Sequence, residues 1–170
     1  MPLRLQGAPS TLGHDAIARR IPHQGSMCLL DRVTAWDSNQ ISCEASSHHA
    51  DSNPLRAYGR LGAACGIEYA AQAMAVHGAL VAESQISTGG FSQGPQIGFL
   101  ASIRGVTLYV ERLDDLNEAL SIHAERLSGD TGTILYSFTL HAGPVLLVAG
   151  RAAVVLNATG LTPPGDPQPR

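Results

Sequence analysis

Residues Leu61 to Glu83 read LGAACGIEYAAQAMAVHGALVAE, and the interpretation of this stretch decides the fold. Alanine fills eight of its 23 positions, proline is absent, and the strongly polar side chains are Glu68, Gln72, His77 and Glu83. Such a segment is helical by propensity and, at a rise of ~1.5 Å per residue, about 35 Å long. A membrane span would be as apolar, but a carboxylate within the hydrocarbon costs roughly 2.5–3.5 kcal/mol, and a basic flank stands on one side only, at Arg60. A helix apolar nearly all round is accounted for by a sheet that wraps most of its circumference.

On both sides of this helix the chain is strand-like. Upstream, MCLLDRVTAW (27 to 36) and QISCEAS (40 to 46) flank Asp37-Ser38-Asn39, a composition suited to a tight turn, and so predict a hairpin. The polar stretch SSHHADSNPLRAYG connects it to the helix. Downstream of a Ser84 to Pro95 loop come four strand-like runs, 97 to 112, 119 to 128, 132 to 142 and 145 to 157, separated by Leu113 to Asn117, Gly129 to Gly132 and Gly143-Pro144. Alternation is plain in the second, where Ile122, Ala124 and Arg126 oppose Ser121, His123 and Glu125. The order predicts an α+β plan, one antiparallel sheet curled around one helix. Residues 1–20 read as a loose N-terminal arm with one or two helical turns from His14 to Arg20, residues 21–157 as the domain, and the proline-rich residues 158–170 as a flexible tail.

A chain of 170 residues suits one domain, and 44% hydrophobic against 15% charged residues belongs to a globular chain. All 11 basic residues are Arg, which excludes a P-loop lysine, a Schiff-base lysine and a pyridoxal-phosphate anchor. The arginines are scattered and the net charge is -3, so no nucleic-acid stripe is visible and no nucleic-acid or membrane partner is expected. Cys28, Cys43 and Cys65 lie far apart without zinc spacing, which predicts free thiols, no metal site and a reducing, cytoplasmic setting.

Glu68 and Gln72 stand four residues apart, on one helix face, with Gly62 and Gly66 one or two turns earlier. A carboxylate on so apolar a helix is anomalous; in a cleft it is a natural proton donor or acceptor, and the bland alternative is a packing role. His23, His48 and His49 fall in loops, whereas His77, His123 and His141 read as structural. Cys65, one turn from Glu68, reads as core and not as a nucleophile.

The run Ile21-Pro22-His23-Gln24-Gly25-Ser26-Met27-Cys28-Leu29-Leu30-Asp31-Arg32-Val33 resembles the opening motif of the 3-hydroxyacyl-[acyl-carrier-protein] dehydratases, and Gly66-Ile67-Glu68-Tyr69-Ala70-Ala71-Gln72-Ala73 resembles the Glu-x-x-x-Gln segment of their central helix. From Ile21 to Asn157 the chain is thus similar to a hotdog fold, and most of all to the small dehydratase-like proteins of aryl-polyene and related pigment clusters. The resemblance implies dehydration of carrier-protein-bound 3-hydroxyacyl thioesters, no cofactor, and a dimer with its pocket at the subunit interface. It places Glu68 at the family's carboxylate. The family's histidine, fourteen residues earlier, is replaced here by Pro54, so His48, or else His23, is expected to be the base. Glu68 would be the acid or hold the water, and Gly62, Ala63, Ala64, Gly66 and Gln72 would meet the substrate, with free backbone N–H groups around Gly62 to Ala64 facing the thioester carbonyl. Arg56, Arg60, Arg104 and Arg112 are candidate contacts for an acidic acyl carrier protein and its phosphopantetheine. The other readings are a hotdog thioesterase, with Glu68 activating water, and a non-catalytic subunit stabilising a second dehydratase in a heteromer.

Overall fold

The first hairpin closes as its turn composition dictates. The Asp37 carboxylate accepts the backbone N–H groups of Asn39 at 2.7 Å and Gln40 at 3.1 Å, which satisfies the turn locally. The computed structural model describes residues 11–89, 98–130 and 132–156. Residues 1–10 of the expected arm, 90–95 of the expected loop, residue 97 of the strand expected after it, and the expected tail lie outside the described residues. The elements are β1 (Leu12–Gly13), α1 (His14–Ala18), β2 (Arg32–Trp36), β3 (Gln40–Ala45), α2 (Gly66–Ser87), β4 (Gly98–Leu108), β5 (Leu120–Gly129), β6 (Thr133–Ala142) and β7 (Val145–Leu156). They form one seven-stranded antiparallel sheet in the order β1-β2-β3-β5-β6-β7-β4, with α2 lying along its inner face, a hotdog architecture.

The period-2 pattern sets the sheet's inner face. Ile134, Tyr136, Phe138, Leu140 and Ala142 of β6 are buried, as are Ile122 and Ala124 of β5, while the residues between them turn outward. Against this face α2 buries Gly66, Tyr69, Ala70, Ala73, Val76, His77 and Leu80, spaced three and four apart. Contact is closest at the helix start. A Cβ on Gly66 would stand 3.0 Å from Leu140 Cδ2 and 3.1 Å from Val148 Cγ2, so glycine is what lets the backbone reach the sheet there. On edge strand β4, Leu100, Ile103 and Leu108, paired with β7's Val154, Ala152 and Val148, stay 41%, 38% and 46% exposed.

Several boundaries differ from the sequence expectation, among them the end of β4, at Leu108 and not at 112. Residues Met27 to Asp31 are not strand: after a 3-10 turn at Gly25–Met27, the Leu29 N–H donates to Gln72 Oε1 and the Leu29 carbonyl accepts from Ser47 Oγ, and the Asp31 N–H reaches the Glu44 carbonyl of β3. The helix begins at Gly66, after a 3-10 turn at Ala63–Cys65, and continues past Glu83 to Ser87. The second half of the expected arm packs on the sheet: Leu12 and Gly13 pair with Val33 and Arg32, Ile17 is fully buried, and His14 Nδ1 bonds to the Leu30 carbonyl at 2.9 Å.

Candidate active site

The segment Ile21 to Leu30 crosses over the first turns of α2. Ile21 anchors it in the core, and Gln24 Nε2 donates to the carbonyls of Ala18 at 2.7 Å and Ile21 at 3.2 Å. Gly25, at φ 58°, turns the chain where a side chain would be strained. His23 is thereby held over the helix, its Nε2 3.0 Å from Glu68 Oε1. Glu68 sits in the first turn of α2, where the helix dipole favours a negative charge. Both side chains remain open to solvent, His23 at 27% and Glu68 at 32%. His23 Nδ1 faces inward without a hydrogen-bond partner among the described residues.

Gln72, one turn further, is fully buried and makes three bonds. Its Nε2 donates to Glu68 Oε1 at 3.1 Å and to the Met27 carbonyl at 2.7 Å, while its Oε1 accepts the Leu29 N–H at 2.9 Å. One amide thus fixes the carboxylate and the segment that presents the histidine. The i, i+4 spacing of Glu68 and Gln72 made this contact legible; the grip on Met27 and Leu29 had no signal in the spacing.

His48 is not part of this arrangement. It lies in a 3-10 turn at Ser47–His49, is fully buried, and donates from Nε2 to the Glu118 carbonyl at 3.1 Å. His49 bonds to the Leu116 carbonyl at 2.6 Å and packs on His48, the ring centroids 3.8 Å apart. Burial, helped by the neighbouring His49, pushes the His48 pKa below its ordinary value, so this imidazole is held neutral. Within the chain, the histidine that stands against Glu68 is His23 and not His48. The loop containing His48 is locked by a network that sequence reasoning missed: Asn53 Nδ2 donates to Tyr69 Oη at 3.1 Å, and the Tyr69 hydroxyl lies 2.8 Å from Ser47 Oγ.

The expected substrate contacts divide. Gly66 and Gln72 are buried and committed to packing and hydrogen bonds. The Ala63 N–H is spent on the Glu111 carbonyl at 3.0 Å and that of Cys65 on the Gly62 carbonyl at 3.0 Å, which leaves the N–H groups of Gly62 and Ala64, with Ala64 exposed. Cys65 is half-buried with its thiol pKa raised by burial. His77 is core: it donates from Nε2 to the Asp37 carbonyl at 2.8 Å and accepts the Tyr136 hydroxyl at Nδ1 at 2.7 Å. Among the described residues no group of His, Cys, Asp and Glu could hold a metal ion, and no helix is long and apolar enough to cross a membrane.

A family model described as ApeP-like, ApeP dehydratase, matches residues 15–160. The chain belongs to the ApeP-like dehydratase family. The match takes in His23, Glu68 and Gln72 together, and it starts within α1. Among solved structures, this ApeP-like chain is similar to the dehydratase heterocomplex ApeI:P from Xenorhabdus doucetiae, at 22% identity and a TM-score of 0.68, covering 82% of this chain and 89% of that one. It is also similar to a thioesterase from Haemophilus influenzae, at 10% identity and a TM-score of 0.59, covering 85% and 90%. These likenesses establish the hotdog fold. No curated protein matches the sequence.

Proposed function

We propose that this chain removes water from 3-hydroxyacyl thioesters carried on an acyl carrier protein, giving trans-2-enoyl thioesters in fatty-acid-like or aryl-polyene synthesis, with His23 as base and Glu68 as acid. The observation that carries this is the 3.0 Å contact between His23 Nε2 and Glu68 Oε1 at a solvent-open site on the helix of a dehydratase family. Elimination needs a base for the proton on the carbon next to the thioester carbonyl and an acid for the departing hydroxyl. His23 takes that proton while Glu68 gives one to the hydroxyl, which leaves as water. The hydrogen bond between them then returns the proton from imidazolium to carboxylate, so the pair resets without an outside donor. Ala64, exposed one turn before Glu68 and with its N–H unspent on the backbone of the described residues, suits polarisation of the thioester carbonyl.

A partner subunit is part of this reading. Among the described residues edge strand β4 pairs on one side only, with β7, and its Leu100, Ile103 and Leu108 are exposed, which supports association through this edge. The partner is a second copy or, as in the heterocomplex whose structure this chain resembles, a second dehydratase. Pro54 at the family's histidine position favours one alternative, a subunit whose main role is to stabilise that second dehydratase.

The test is interconversion of a 3-hydroxyacyl and an enoyl thioester by the purified full chain, followed by mass, beside Glu68→Gln. Turnover lost in the variant supports the proposal. Release of free acid selects the thioesterase. Inert, folded protein that activates only with a second dehydratase present, Glu68→Gln doing so equally well, selects the stabilising subunit.

A further inference from the structure

Directly ahead of the helix, Ala57 to Arg60 form a two-residue hairpin turn, closed by the Ala57 N–H to the Arg60 carbonyl at 3.0 Å and the Arg60 N–H to the Ala57 carbonyl at 3.1 Å. Both central residues are left-handed, Tyr58 at φ 53° and Gly59 at φ 72°, a geometry that suits Asn or Gly at the first position. Tyr58 is the one non-glycine residue with positive φ among the described residues. An aromatic residue there is strained, and nothing among the described residues offsets the strain: Tyr58 is 104% exposed.

The base of the turn is rigid. Arg56 donates from Nη1 to Asp114 Oδ2 at 3.0 Å and from Nε to the Ala50 carbonyl at 2.8 Å, and Arg112 reaches the same carboxylate at 2.6 Å. Arg60, by contrast, is exposed and makes no ion pair among the described residues. Residues 52–67 contain no Asp or Glu, and Asp114, the carboxylate against the turn's base, is buried beneath its two arginines. A strained, fully exposed tyrosine two residues from an unpaired arginine joins the two side chains most enriched in binding hot spots.

We propose that the Ala57–Arg60 turn is a docking prong for the acidic surface of the protein that carries the acyl thioester, with Tyr58 and Arg60 as its anchors. This rests on the dehydratase reading, and it locates carrier recognition on the loop that leads through Leu61 to Cys65 into the helix bearing Glu68. Charge decides the kind of partner: a turn flanked by arginine and empty of carboxylates meets an anionic protein surface. Contact with the carrier's protein surface predicts equal binding of carrier with and without its phosphopantetheine arm.

The test separates the prong from the active site. Tyr58→Gly relieves the backbone strain, so the full-length variant melts at the same temperature as the parent or higher. With a bacterial type II acyl carrier protein bearing a 3-hydroxyacyl group, Tyr58→Gly and Arg60→Gln raise KM about tenfold each. With the N-acetylcysteamine thioester of the same acid, both keep the parent's kcat and KM. Unchanged KM for the carrier substrate overturns the prong, and a KM raised equally for both substrates does so too. If the parent turns over neither substrate, the dehydratase reading fails by itself, and the prong is judged by titration with the unloaded carrier: about tenfold weaker binding by Tyr58→Gly upholds it, and equal or absent binding overturns it.

Discussion

Two loops of this molecule bring histidines toward α2, and they use them in opposite ways. The Ile21 to Leu30 segment holds His23 with Nε2 on the Glu68 carboxylate and leaves a quarter of the side chain open to solvent. The Ser46 to Arg60 loop, nearer to Glu68 in sequence, turns His48 wholly inward and spends its Nε2 on a backbone carbonyl. The difference teaches that acceptor and burial, not distance along the chain, decide whether an imidazole is available for chemistry. A carboxylate partner in a solvent-open setting can exchange a proton, whereas a carbonyl partner in the core fixes one tautomer and holds it.

The sharpest way to break this comparison is to truncate each histidine in turn. His23→Ala removes a general base and is expected to lower kcat by about 10²–10⁴ with little change in melting temperature. His48→Ala leaves the Glu118 carbonyl without its donor and opens a hole in the core, with an expected loss of roughly 1–3 kcal/mol in stability and kcat within a few-fold of the parent. Melting curves beside single-substrate kinetics separate the two. A folded His48→Ala protein without activity would return the catalytic role to the second loop.

Gln72 offers the next largest effect, because it joins the first loop to the acid. Gln72→Leu keeps the volume but strips donors and an acceptor from Glu68, Met27 and Leu29. The unpaired Leu29 N–H and Met27 carbonyl are expected to cost about 1–3 kcal/mol each, and kcat falls as Glu68 and His23 lose their mutual register. If the crystal structure of the variant showed His23 still 3.0 Å from Glu68, the amide would be a packing group alone.

The same contrast explains what could be read from the sequence. The helix, the hairpin and the four later strands followed from alanine content, period-2 alternation and turn residues, all local signals. Glu68 stood out because a carboxylate on an apolar helix is rare. His23 and His48 could not be told apart, since each sits in a polar loop and the bonds that sort them run to residues 45 and 70 positions away. Met27 to Asp31 looked like strand because its side chains are apolar, yet the Leu29 backbone bonds to the Gln72 and Ser47 side chains and the Leu30 carbonyl to His14. The short strand at Leu12–Gly13 escaped notice because two paired residues carry no periodicity.

The smallest expected effect concerns acid, and it bears on the buried member of the pair. Burial lowers the pKa of His48 below its ordinary 6.5, and it does the same to His77, the Asp37 carbonyl and carboxylate opposing burial there and Arg126 adding to it. Above pH 6.5 both histidines are neutral folded and unfolded, so neither affects stability. As pH falls below 6.5 the unfolded chain binds protons that the folded one resists, and stability declines until the folded-state pKa values are passed. Asp114, held well below the usual carboxylate range by the Arg112 hydrogen bond, enters only below 3.8, so the first decline belongs to the histidines. His48→Gln keeps a donor for the Glu118 carbonyl without a titrating group, and its melting temperature should fall less between pH 7 and pH 5 than the parent's. A variant as acid-sensitive as the parent would mean that His48 takes up its proton as freely folded as unfolded, and the line drawn between the two loops would then rest on geometry alone.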